Sequence, residues 1–106
     1  MEIRELSDSD AAALIALYRA VLPDSPTAEN GSFDAARAFL VDPTSFVLGA
    51  YDDDEPVGLA WGVQMRSPSG RLTSYLHELD VRGHWRRRGI GAALVRTAMD
   101  VARRHG

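Results

Sequence analysis

Apolar positions along this chain switch between two spacings, and the switches mark out its elements. Glu2–Leu6 reads as a short strand. Ser7-Asp8-Ser9-Asp10 then supplies N-cap chemistry, and Leu14, Leu17, Tyr18 and Val21 follow at helical spacing until Pro23 stops them. The segment from Asp24 to Gly31 reads as a polar loop, with Pro26 and Asn30-Gly31 as turn signals. Ser32 caps a second helix, whose Phe33, Ala36, Phe39 and Leu40 form one apolar face that ends at Asp42-Pro43. Ser45–Tyr51 and Val57–Met65 are predicted strands, joined by the charged hairpin turn Asp52-Asp53-Asp54-Glu55-Pro56. Ser67-Pro68-Ser69-Gly70 is the next turn and Leu72–Val81 the next strand. From about Gly89 the helical spacing returns. Ile90, Ala93, Leu94, Thr97, Ala98 and Val101 turn inward there, and Arg96, Asp100, Arg103 and Arg104 outward. The predicted order is β-α-α-β-β-β-α, an α/β (α+β) arrangement.

Composition narrows the class. A chain of 106 residues with 45% hydrophobic content suits one small domain over residues 1–106. No run of 18 apolar residues occurs, and the acidic Met1–Glu5 start is unlike a signal peptide. Without cysteine there is no disulfide, thiolate metal site or cysteine nucleophile, and His77, His84 and His105 share no metal-ligand spacing. The expectation is a cytoplasmic protein without a metal. The net charge of −3 hides a division: residues 1–81 hold 14 acids and five arginines, residues 82–106 seven arginines and Asp100 alone.

Much of that positive charge surrounds one turn, Leu79-Asp80-Val81-Arg82-Gly83-His84-Trp85-Arg86-Arg87-Arg88-Gly89-Ile90-Gly91-Ala92. It reads as a strand end, a basic turn and a glycine-spaced helix start. Backbone N–H groups at a helix start lack intrahelical partners and carry the positive end of the helix dipole, so they suit a phosphate. The spacing is neither the lysine-bearing phosphate loop, in a chain without lysine, nor the dinucleotide fingerprint, which needs glycine where Arg87 stands. Arg86-x-x-Gly89-x-Gly91 resembles the acetyl-coenzyme A signature of the GNAT superfamily of N-acetyltransferases. The resemblance extends to the element order from Met1 to Gly106, and the wording around Tyr75–Gly89 is nearest the aminoglycoside 3-N-acetyltransferase branch.

The resemblance implies a mixed, mostly antiparallel sheet flanked by helices. It also implies acetyl-coenzyme A as co-substrate, held through its pyrophosphate by Arg86, Arg87, Arg88, Gly89, Ile90, Gly91 and Ala92. Leu79, Asp80 and Val81 would lie along its pantetheine arm. GNAT domains normally continue with a fifth strand, a helix bearing a thiolate-protonating tyrosine, and a closing strand pair. The chain therefore reads as the N-terminal two thirds of such a domain, with Gly106 suited to a C′ cap.

The chemistry also follows from first principles. An alkyl ammonium, with a pKa near ~10, must lose a proton before its nitrogen attacks a thioester. The strand Leu72–Val81 offers Glu78 as the base, a role that the aminoglycoside-type resemblance supports, with His77 second. Strict alternation would place His77 with Leu79 and Val81, and Glu78 with Asp80 on the opposite face. GNAT sheets carry a bulge near this point, so the facing stays open. A carboxylate paired with arginine on a sheet face is the structural alternative for Glu78. Trp61 and Tyr75 read as core or as walls of a substrate groove, and Trp85 as packing under the basic loop. The acids, lying away from that loop, favour a small cationic amine, such as an aminoglycoside, as acceptor.

Two rival functions remain. One is a coenzyme-binding remnant that is non-catalytic or depends on a partner chain. The other, less favoured, is a nucleic-acid-binding module built on the C-terminal arginines. The missing strands would leave an unpaired strand edge at Leu72–Val81, suited to homo-oligomer formation.

Overall fold

A computed structural model describes residues 1–105; the expected C′ cap at Gly106 lies outside the described residues. Strand β1 (Glu2–Glu5) leads to helices α1 (Ala11–Val21), α2 (Pro26–Asn30) and α3 (Phe33–Val41). Strands β2 (Ser45–Asp52), β3 (Glu55–Arg66) and β4 (Leu72–Val81) follow, then a 3-10 turn (Gly83–Trp85) and helix α4 (Ile90–His105). The four strands form one sheet in the order β1-β2-β3-β4, and every pairing is antiparallel. Among the described residues no helix is long and apolar enough to cross a membrane.

The sheet is covered on both faces. Leu14, Leu17, Tyr18 and Val21 of α1 pack with Ala36, Val47 and Leu59 on one side. On the other side Ile90, Leu94, Ala98 and Val101 of α4 pack on Phe46, Leu48, Ala50, Val57 and Ala60. Strand β2 is buried on both faces from Phe46 to Tyr51, which explains its nearly unbroken apolar run. Gly58 lets α4 come close: a Cβ there would stand 3.2 Å from Ile90 Cγ2 and 3.3 Å from Leu94 Cδ1.

Three local features depart from the sequence reading. The polar loop contains the one-turn helix α2, started by Pro26 after Ser25, whose Oγ accepts the Ala28 N–H at 3.1 Å. Ser-Pro followed by Glu29 was a helix-start signal rather than only a turn signal. At α1, Asp10 occupies the N-cap position, but its carboxylate turns back to the Ser7 N–H at 2.7 Å. Phe33 of the expected apolar face is 54% exposed, because it sits at the very start of α3. The Ser32 cap is present as read, accepting from the Ala35 N–H at 3.0 Å.

The β2–β3 hairpin turns on Asp53 and Asp54, at φ +48° and +70°, the conformation that a two-residue hairpin needs to match strand twist. The β3–β4 ladder holds a bulge: Trp61 faces Glu78 and Gly62 faces Leu76, leaving His77 as the extra residue. Glycine is needed at the bulge, since a Cβ on Gly62 would lie 2.0 Å from the Tyr75 carbonyl oxygen and 2.9 Å from the Phe46 ring. Gly62→Ala is accordingly expected to lose about 1–3 kcal/mol in urea denaturation. Gly83→Ala, with nothing within 4 Å of the added carbon, should stay within about 0.5 kcal/mol of the parent.

Candidate active site

The bulge settles the orientation that alternation left open. His77 and Glu78, consecutive in β4, both reach Trp61 of β3. The His77 ring stacks on the Trp61 ring, with centroids 4.4 Å apart and planes 12° from parallel. Trp61 Nε1 donates to Glu78 Oε1 at 2.6 Å. From α1, the Tyr18 hydroxyl donates to the same oxygen at 2.7 Å. Phe39 of α3 meets Trp61 edge-on at 5.2 Å and completes the support. Trp61 is thus a site residue as well as a core one. Tyr75 is neither core nor its companion, standing 52% exposed on β4.

Tyr18 is the residue that the sequence reading missed. Its place in the α1 apolar stripe marked it as core, and nothing in that stripe distinguished a hydroxyl with a distant partner. Burial first, then the hydrogen bond and negative charge of Glu78, push its phenol well above the ordinary tyrosine value. Tyr18 therefore remains a neutral donor. Both donors converge on Oε1 of Glu78, whereas Oε2 receives no hydrogen bond among the described residues. One oxygen is anchored and the other is free to meet a ligand. The alternative of an arginine-paired carboxylate does not hold for Glu78. It does hold for Asp80, whose Oδ1 accepts the Val81 N–H at 2.8 Å and lies 3.5 Å from Arg86.

The basic turn begins where β4 ends. Arg86 Nε donates to the Val81 carbonyl at 3.0 Å, which folds the turn back onto the strand. Trp85 packs against the α4-side core, as expected, and the Arg88 guanidinium lies 5.1 Å above its ring. Arg87 and Gly89 both take positive φ, +64° and +79°. The first α4 amide with an intrahelical acceptor is Ala93, bonded to the Gly89 carbonyl at 3.0 Å. The N–H groups from Arg87 to Ala92 have no backbone acceptor among the described residues. A Cβ at Gly89 or Gly91 would meet nothing within 4 Å. Unpaired amides, left-handed residues and open space over two glycines come together at this turn, the combination that suits an anion.

One expectation is corrected here. The acids do not all lie away from this turn, because Arg82 binds Glu55 of the β2–β3 hairpin at 2.8 Å. Asp54 of the same hairpin is paired with Arg4 at 2.6 Å. Among the described residues no cluster of three His, Cys, Asp or Glu side chains can hold a metal.

The fold is a helix-flanked antiparallel sheet whose last strand runs into a basic, glycine-spaced helix start. Residues 11–106 match the sequence profile of the Acetyltransferase (GNAT) family, and the chain belongs to that family. No curated protein matches its sequence significantly. An aminoglycoside acetyltransferase, HMB0005, from an uncultured soil metagenomic sample has the same fold, with a TM-score of 0.86 at 22% identity; the match covers 99% of this chain and 73% of that one. The aminoglycoside acetyltransferase meta-AAC0020, also from an uncultured soil metagenomic sample and solved with sisomicin, gives 0.85 at 20% identity, over 99% and 71%. An aminoglycoside N-acetyltransferase in complex with CoA gives 0.77 at 16% identity, over 99% and 70%.

The tyrosine protons have a measurable consequence. Burial also raises Tyr51, against the opposing charge of Arg4. Above pH ~10 the unfolded chain releases phenolic protons that the folded chain keeps, so the unfolded state binds fewer protons and stability falls as pH rises. Urea midpoints should drop between pH 9 and 11, and Tyr18→Phe should shrink that drop. An equal drop in parent and variant would show that Tyr18 titrates normally.

Proposed function

We propose that this chain is an acetyl-coenzyme A-dependent N-acetyltransferase acting on a small cationic primary amine, with Glu78 as general base. The observation that carries the reading is the carboxylate with one anchored and one free oxygen on the strand that runs into the anion-binding turn. Arg87 to Ala92 would hold the coenzyme pyrophosphate through backbone N–H groups, and Leu79 to Val81 would border its pantetheine arm. Arg86 contributes by fixing the turn to β4, and Arg88 adds charge from above Trp85. Glu78 lies four residues before Arg82, about 13 Å along an extended strand at ~3.3 Å per residue. The turn and the base therefore sit at two separate stations along β4.

Bound acetyl-coenzyme A supplies the activated thioester. Glu78 Oε2 holds the incoming ammonium and takes its proton, directly or through one water, so that the amine lone pair is freed for attack. Tyr18 and Trp61 keep the carboxylate from rotating away, and both remain donors throughout. His77, stacked on Trp61, is placed to border the same site and is the second candidate for proton transfer. The aminoglycoside acetyltransferases among the similar structures suggest an aminoglycoside as one acceptor to try.

The chain spans 70–73% of the three similar structures' lengths. A nucleic-acid module is disfavoured, because Arg82, Arg86, Arg103 and Arg104 are each paired with a carboxylate. Strand β4 has β3 as its sole partner among the described residues, with Tyr75, Leu76 and Leu79 exposed. Self-association through this edge belongs to the proposal. Light scattering should then show a mass above the monomer that rises with concentration; a strict monomer would remove that part.

Gly91 is a sharper test position than Gly89, since valine at a positive φ adds strain of about 1–2 kcal/mol by itself. Gly91→Val should weaken acetyl-coenzyme A binding at least tenfold by calorimetry while the melting temperature holds. Glu78→Gln should keep that affinity and lower kcat by roughly 10²–10⁴. Unchanged affinity in Gly91→Val would sink the coenzyme assignment, and unchanged turnover in Glu78→Gln the base.

A further inference from the structure

The two donors to Glu78 also wall a cavity of about 250 Å³ between α1, α2, α3 and the sheet. Its remaining walls are mainly hydrocarbon: Leu14, Ile15, Ala36, Phe39 and Val47. It reaches the surface where α2 meets α3, beside Ser32 and Ala35. Polar groups on the wall are few, and most are committed. Tyr18 gives its proton to Glu78, and Ser32 Oγ accepts from the Ala35 N–H. The Thr27 carbonyl accepts the Gly31 N–H at 2.8 Å. None of the lining residues is acidic or basic.

This chemistry selects against a hydroxyl-rich ligand. A sugar hydroxyl entering the cavity would give up its water and find almost no free donor or acceptor, a loss that apolar contact does not offset. No lining residue of the cavity carries a charge to pair with a polycation. The volume also lies below the ~300–1,000 Å³ of sites that enclose drug-sized ligands. One small ring or short alkyl chain fits, with Trp61 and Phe39 offering aromatic surfaces for a ring.

We propose that the acceptor is a compact arylalkyl or alkyl amine, whose hydrocarbon part lodges in this cavity while its ammonium meets Oε2 of Glu78. This rests on the acetyltransferase reading and narrows it away from aminoglycosides. The cavity sets specificity through Ile15, Ala35 and Phe39. The amine nitrogen lies at the β4 side, and the apolar group points toward α3.

The test uses the whole chain with phenethylamine, ethylamine, glucosamine and one aminoglycoside as probes. Binding is followed by amide chemical shifts and calorimetry, with and without acetyl-coenzyme A, and acetyl transfer by release of free thiol. Phenethylamine is expected to bind at least tenfold more tightly than glucosamine and to shift amides lining the cavity, among them Leu14, Thr27 and Trp61. Ala35→Trp at the rim and Ile15→Phe in the wall should each weaken phenethylamine at least fivefold more than ethylamine, whose two carbons reach less of the wall. The second variant covers the case in which the first does not fold.

Glucosamine or the aminoglycoside binding as tightly as phenethylamine would overturn the apolar-acceptor proposal and leave the acetyltransferase reading standing. The apolar-acceptor proposal also falls if acetyl-coenzyme A binds but phenethylamine does not, for the cavity is then only a packing void. Loss of acetyl-coenzyme A binding itself, together with no transfer to any amine, would instead overturn the enzyme reading.

Discussion

One extra residue in the β3–β4 ladder decides what the β4 side chains do. In an unbroken antiparallel strand His77 and Glu78 would project to opposite faces, one toward α4 and one toward α1. The bulge at His77 lets both meet Trp61. It depends in turn on Gly62, because any side chain there would collide with the Tyr75 carbonyl. The glycine permits the bulge, the bulge aims the carboxylate, and the carboxylate then holds Tyr18 across the core. A polar hydrogen-bond network of this kind is stable in a partly buried place because each donor is satisfied and the acceptor keeps one oxygen toward the open side.

The glycine-spaced turn depends on a different constraint, the close seating of α4 on the sheet. Ile90 and Leu94 are fully buried against β3, and Gly58 removes the side chain that would hold them away. Ile90 is also the first residue of the helix, so the contact that anchors α4 fixes its amide-bearing end. The Arg82–Val57 backbone hydrogen bond at 2.9 Å and the Arg86–Val81 bond tie the other end of the turn to β3 and β4. The unpaired amides are therefore held in place by packing at one end and hydrogen bonds at the other.

Strand and helix positions were legible because burial writes its period into the chain. Leu72–Val81 matches β4 at both ends, and Ile90, Leu94, Ala98 and Val101 form the α4 stripe as spaced. The glycine-spaced helix start was legible too, with α4 beginning at Ile90 just after Gly89. The resemblance implied a bulge in β4, and one is there. Its register and the facing of His77 and Glu78 could not be read, because a bulge depends on two strands at once and no residue within β4 announces it. Tyr18 was hidden for the same reason: its stripe position is explained by packing alone, and its partner lies 60 residues away. Helix α2 is a different case, because a Ser-Pro start signals a helix as well as a turn.

Charge around the turn is arranged so that the nearest acids are already paired. Three acids of the hairpin and strand lie nearby, yet Glu55 and Asp80 are taken up by Arg82 and Arg86, and Asp54 by Arg4. Those exposed pairs contribute little to stability, at most about 1 kcal/mol each. Their effect is on position: they commit the nearest arginines to fixing backbone and neutralise carboxylates that would repel a phosphate. Arg87 and Arg88 have no carboxylate partner among the described ion pairs, and Arg88 is oriented by Trp85 instead. The positive potential left at the turn then comes from these two side chains together with the amides of α4, and it is aimed where the glycines leave space.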